Sequence, residues 1–173
     1  MKNSRADVIM RNIIREAQAQ HYPENKPKSW NEHNFHEDKG FLFLGNNTAV
    51  IRLYRALPDE LSAAEKSMML DCTQFIEKET GMLYYRSDRE HVPMSVTELA
   101  KRLRLSARHV YRLVSRMCAL RVMAREQGRI YVNPLYFFRG RYLSHHLYAL
   151  FRTDLQAALP PWAVQRYEGN QGA

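Results

Sequence analysis

The chain has 173 residues, 45% of them hydrophobic, enough for one ordinary core with extensions and too apolar for a disordered polymer. No stretch approaches the roughly 18 uninterrupted apolar residues that a membrane helix needs, which argues against a membrane span. The net charge of +8 fits either a solvated basic face or a polyanionic partner, so residue pattern has to decide between them.

Val8, Ile9, Ile13, Ile14 and Ala17 recur at helical spacing, and residues 5–20 read as an amphipathic helix without the apolar run of a secretory signal. Residues 21–39 are polar, hold two prolines and read as a linker. The apolar runs 40–44 and 49–54 surround a Gly-Asn-Asn turn and suggest a hairpin. The second run fits equally well as the start of a helix ending near Leu57-Pro58. Ser62 and Glu65 have the spacing of a capping box. Met68, Met69, Cys72, Phe75 and Ile76 follow on one helical face, and Gly81 is the predicted helix stop. Residues 82–86 predict a short strand and 87–93 a loop. Ser95 is predicted to cap a short helix over 96–104, and Ser106 the next helix, running to about Leu120. Residues 122–125 and 129–132 read as strands joined across Glu126, Gln127 and Gly128. Leu143, Leu147, Leu150, Phe151, Leu155 and Leu159 trace one long amphipathic helix stopping at Pro160-Pro161, with a frayed tail from Glu168. Cys72 and Cys118 both lie in apolar-periodic stretches and read as buried free thiols of a cytosolic protein.

Charge separates the two parts of the chain. Residues 1–100 carry 13 Lys/Arg against 15 Asp/Glu, whereas residues 101–173 carry 13 against 3. The order helix, short strand, helix, turn, helix, hairpin is that of a winged helix-turn-helix. The expected fold is therefore mainly α with a small β-wing (α+β), with extra N- and C-terminal helices. Leu99, Leu103, Leu105, Val110 and Leu113 are the apolar positions expected to pack the two short helices at a steep angle, and Ala100 falls where they cross most closely. Arg104 stands in the turn where many such motifs have glycine, at a cost of roughly 1 kcal/mol for a left-handed residue. The bland alternative is two ordinary helices of a bundle. Against it, the face left after burial of Val110, Leu113 and Met117 holds Ala107, Arg108, His109, Tyr111, Arg112, Ser115 and Arg116, with no acid among them.

Groove geometry assigns expected roles. Arg108, His109, Tyr111 and Arg112 would read bases, with Arg108 suited to a guanine O6/N7 pair. Lys101, Arg102, Ser106 and Arg116 would lie along the DNA backbone, and Arg125, Gln127 and Arg129 would form the wing contact. A homodimer is expected, because such proteins commonly set two reading helices in successive major grooves roughly 34 Å apart.

Residues 40–141 resemble the RepL-type plasmid replication proteins, and more broadly the winged-helix initiators and regulators of plasmids and phages. The resembling features are FLFLGNNTAVIRLYRAL, the helix start at Leu61–Glu65, SVTELAKRLRLSARHVYRLVSRM, and Ile130-Tyr131-Val132-Asn133-Pro134 leading to Phe138-Arg139-Gly140. The resemblance implies a non-enzymatic, sequence-specific double-stranded DNA-binding protein that initiates or controls replication of a mobile element. It would mark its site and recruit host replication proteins in a prokaryotic cytoplasm. A transcriptional regulator with the same DNA contacts is the alternative, and a protein-interaction module with an acidic partner a further one. The domain reading is residues 1–39 as N-terminal helix and linker, 40–141 as DNA-binding domain, and 142–173 as C-terminal helix and tail.

Other chemistries find less support. His21, His33 and His36, with Glu32, Glu37 and Asp38, are residue types that suit zinc, but they sit in a polar linker far from either cysteine, and no metal is expected. Adjacent His145 and His146 diverge on a helix and lack the alternating pattern of rolling-circle nickases. No glycine-rich phosphate loop and no nucleophile–base grouping is evident, so neither a catalytic residue nor a cofactor is expected.

Overall fold

The computed structural model describes residues 35–42, 55–88 and 90–169. The helix expected over 5–20 and the second run of the hairpin expected over 40–54 lie outside the described residues. The chain is a mixed α+β structure. In order its elements are β1 (Phe35–His36), β2 (Gly40–Leu42), α1 (Ala63–Thr73), β3 (Tyr84–Ser87), β4 (Glu90–Pro93), α2 (Val96–Leu103), α3 (Ala107–Ala119), β5 (Met123–Glu126), β6 (Arg129–Val132), β7 (Tyr142–Leu143), α4 (His145–Leu150), α5 (Arg152–Ala158) and α6 (Pro161–Gly169).

Serines start the helices. The Oγ atoms of Ser62, Ser95, Ser106 and Ser144 accept the backbone N–H three residues on, which satisfies one otherwise unpaired donor in each first turn. At α1 the capping box is complete, since the Ser62 N–H donates back to Glu65 Oε2 at 2.7 Å.

The helix ends are more particular. Arg104 takes the left-handed conformation at φ 56°, its N–H reaches the Lys101 carbonyl, and the Leu105 N–H reaches back to Ala100 O at 2.9 Å. The same pattern closes α3: Arg121 has φ 57°, with Arg121 N–H on Cys118 O and Val122 N–H on Met117 O. Both are Schellman closures, with arginine where glycine is usual. The turn after Arg104 leaves Leu105 40% exposed, so this residue does not join the core as its spacing suggested.

Helix α1 stops at Thr73, well before Gly81. Phe75 and Ile76 keep the helical spacing, but Ile76 instead bridges Leu83, and the Glu77 N–H donates to Met82 O. Gly81 has φ +67° and serves a close approach: a Cβ there would sit 3.0 Å from the Leu147 side chain, while its carbonyl accepts the Val132 N–H. The stretch expected as a loop after Ser87 forms β4, antiparallel to β3 with Tyr84 opposite Pro93.

Two cores share one hairpin. The first gathers Met69, Cys72, Leu99, Ala100, Val110, Leu113, Val114 and Met117 from α1, α2 and α3, closed by Met123, Ile130 and Val132. The second gathers Phe41, Phe138, Leu143, Leu147, Tyr148, Phe151, Leu155 and Tyr167, together with Tyr131. Strand alternation explains the sharing: Ile130 and Val132 point one way from β6 and Tyr131 the other.

The single C-terminal helix expected over 143–159 is divided. Leu143 belongs to β7 and pairs with Phe41 of β2. Phe151 leaves helical geometry at φ −117° and ψ 26°, separating α4 from α5. α6 follows from Pro161 and buries Ala163 and Tyr167, whose hydroxyl accepts the Phe41 N–H at 2.8 Å and donates to Leu143 O. Asn133, fully buried, ties the hairpin to this part: its Nδ2 donates to Arg121 O at 2.8 Å and to Asp154 Oδ2, and its Oδ1 accepts the Leu135 N–H.

Candidate nucleic-acid interface

Helix α3 carries the densest concentration of predicted site residues. Val110, Leu113, Val114 and Met117 are its buried stripe. With about 3.6 residues per turn, the line opposite that stripe runs through Arg108, Arg112, Ser115 and Ala119, all exposed. Two arginines thus occupy the outer ridge near the N-terminal end, and two small residues occupy it near the C-terminal end. Neither Arg108 nor Arg112 forms an ion pair among the described residues, and no Asp or Glu occurs anywhere in α3. Ser106, Arg108, His109, Tyr111 and Arg112 border a shallow concavity of about 360 Å³ on this face.

The two flanks of the ridge differ. On one side the Arg125 guanidinium lies over the Tyr111 ring, 5.5 Å from its centroid. On the other, Arg116 turns toward α1, where its Nε meets Glu65 Oε1 at 3.3 Å and its Nη2 donates to the Glu60 carbonyl. The Glu65 carboxyl is held below its ordinary range, first by the Ser62 backbone N–H and further by the Ser62 hydroxyl, Arg116 and Arg112, against an opposing effect of burial. Between α1 and α3 lies an open groove of about 750 Å³ floored by Met68, Leu103 and Leu113, with His109 and Arg112 on one wall and Asp71 on the other. Leu105 lines it as well; the sequence signal for this was its place just after the left-handed turn.

The remaining predicted residues spread around this face. Ser106 caps α3, its Oγ accepting the His109 N–H at 3.3 Å. Lys101 is exposed on α2. Arg102 is tied sideways: its Nε is 2.8 Å from Glu98 Oε1, and its guanidinium lies 4.8 Å from the centroid of Tyr85 on β3. In the β5–β6 turn Gln127 and Gly128 both have positive φ, at 49° and 77°, as a two-residue type I′ hairpin requires. The two hairpin arginines part company. Arg125 shares a pleat face with Met123 and lies opposite Ile130, on the α3 side. Arg129 lies opposite Glu126 on the other face, where Glu126 meets His146 Nε2 at 3.3 Å. Sequence spacing treated these two arginines alike; strand alternation separates them.

Burial pushes the Cys72 thiol up to about 12 and also raises that of Cys118, which Arg125 partly opposes. Both thiols are free. His21, Glu32 and His33 of the linker cluster lie outside the described residues; among those described, no three His, Cys, Asp or Glu side chains converge as a metal site would need. No described helix is long and apolar enough to cross a membrane. Compared with known proteins, the chain matches no family model, no curated protein and no solved structure.

Proposed function

We propose that the chain is a winged helix-turn-helix protein that binds double-stranded DNA sequence-specifically, with α2 and α3 as its two helices and the β5–β6 hairpin as its wing. The observation that carries this reading is the outer ridge of α3: Arg108 and Arg112, which form no ion pair among the described residues, stand at the end of the helix that enters a major groove, and small residues follow where the duplex closes in. Arg108 and Arg112 read base edges, His109 and Tyr111 contact bases at the flanks, and Lys101, Ser106 and Arg129 meet phosphates. Arg102 and Arg116 already hold carboxylates, which reduces what each adds to a phosphate.

The biological setting rests on the resemblance to RepL-type replication proteins. Within its closing stretch, Ile130 to Gly140, Asn133 and Phe138 are fully buried and Arg139 donates to Ile76 O, so these residues serve the packing of this chain. On this reading the chain initiates or controls replication of a plasmid or phage, as a homodimer on an inverted repeat, by marking its site and recruiting host enzymes. A transcriptional regulator would use the same contacts, and the genomic position of the site separates the two.

The test is equilibrium binding to duplex DNA across a salt series. Affinity should fall steeply as salt rises. Arg108→Ala should cost about 1–3 kcal/mol on the preferred site and much less on random duplex. Weak binding that ignores salt would defeat the proposal.

A further inference from the structure

Tyr111 is 56% exposed, more than any other large hydrophobic side chain among the described residues, and it sits on the one flank of α3 that faces the hairpin. An exposed ring in that place needs an explanation, and its neighbour supplies one. The Arg125 guanidinium stacks over it at 5.5 Å, within the range of a cation–π attraction. The pairing is not an accident of two long side chains meeting in solvent. Arg125 lies on the pleat face that also carries Met123 and lies opposite Ile130, both anchored in the core beneath α3. The β5 register therefore directs Arg125 to the helix, while Glu126 and Arg129 are directed away.

We propose that Tyr111 is a positioning residue: its ring holds the Arg125 guanidinium against α3, so that helix and hairpin meet the duplex as one cationic surface. This inference rests on the DNA-binding reading and adds to it. An arginine left free on a hairpin loses side-chain entropy when it settles on a phosphate, whereas one already seated loses less. The pairing costs no charge, because a ring, unlike a carboxylate, leaves the guanidinium fully cationic toward DNA. Arg116 and Arg102, held by Glu65 and Glu98, make the contrast.

The experiment is a double-mutant cycle on full-length protein and duplex DNA, with Tyr111→Ala, Tyr111→Phe, Arg125→Ala and the double alanine variant, each measured across salt. Arg125→Ala should lower the slope of log K against log salt by about one. Tyr111→Ala removes no charge, yet it too should lower that slope, by up to about one, and adding Arg125→Ala should cause little further loss. Tyr111→Phe keeps the ring and should keep the wild-type salt slope, whatever its hydroxyl adds to affinity. A Tyr111→Ala variant with an unchanged slope, or losses that simply add, would overturn the inference while leaving DNA binding intact. If the wild-type protein bound no duplex, the DNA reading itself would fall, and the inference with it. NMR of the free protein checks the pair without DNA: Arg125 side-chain protons should be shifted upfield by the ring in wild type and Tyr111→Phe and return to ordinary values in Tyr111→Ala. An unshifted Arg125 in the wild type would also overturn the inference.

Discussion

Arg116 of α3 and Glu65 of α1 form an ion pair at 3.3 Å across the mouth of the groove between the two helices. Glu65 is also the closing member of the α1 capping box, so one carboxylate both starts a helix and braces the helix beside it. The Arg116 side chain is half exposed, and the pair itself is worth no more than about 1 kcal/mol.

Glu65 gives acid stability a local source. Its folded pKa lies below the ordinary 4.5, chiefly through the Ser62 backbone N–H. A depressed carboxylate contributes stability that is present above the unfolded value and lost as pH falls through the folded one. Thermal unfolding should therefore show wild type more stable than Glu65→Gln by a constant margin at neutral pH. That margin should shrink below about pH 4.5. A margin that stays constant into acid would show that Glu65 holds no such advantage.

The left-handed arginine at the end of α2 predicts an easy gain. Arg104→Gly should stabilise the protein by about 1 kcal/mol, because glycine takes that conformation without a Cβ penalty and Arg104 makes no ion pair among the described residues. Urea unfolding measures it. The same change at Arg121 should gain less or lose, since Arg121 Nε also binds Asp154 Oδ2 at 2.7 Å.

Asn133 should prove the most sensitive polar position of the hairpin. Asn133→Ala leaves the Arg121 carbonyl and the Leu135 N–H without their partner in a buried place, and should cost about 1–3 kcal/mol by urea unfolding. A loss under about 0.5 kcal/mol would mean that water replaces the side chain there.

The two thiols should report on different events. Cys72 is fully buried with its pKa near 12 and should react with a thiol reagent only on unfolding. Cys118, half-buried on α3 on the side near Arg125, should react slowly in the native protein. Bound duplex should slow it further. Equal native rates for both would contradict the packing described.

Much of the local structure was legible in the sequence. The caps at Ser62, Ser95 and Ser106, the left-handed Arg104, the α3 stripe and the Gln127-Gly128 turn follow from side-chain chemistry acting within a few residues, and each appears where that chemistry puts it, whereas the cap at Ser144 is hidden in what reads as one continuous helix. What escaped depends on partners distant in sequence. Ile76 keeps a helical spacing but is taken by Leu83, and Leu143 keeps one but is taken by Phe41. The strand Glu90–Pro93 shows little apolar alternation and exists because Tyr84–Ser87 lies beside it. At the candidate site, exposure of Arg108 and Arg112 was readable from periodicity. The capture of Arg116 by Glu65, fifty-one positions away, and of Arg102 by Tyr85 was not, because neither shows in the spacing of α2 or α3.

The most direct test of the central claim is selection of random duplex DNA on the purified protein, followed by sequencing. The expected result is an enriched inverted repeat, its half-sites about one helical turn apart, whose enrichment is lost in Arg108→Ala. Recovery of unenriched sequence by the wild-type protein would contradict it.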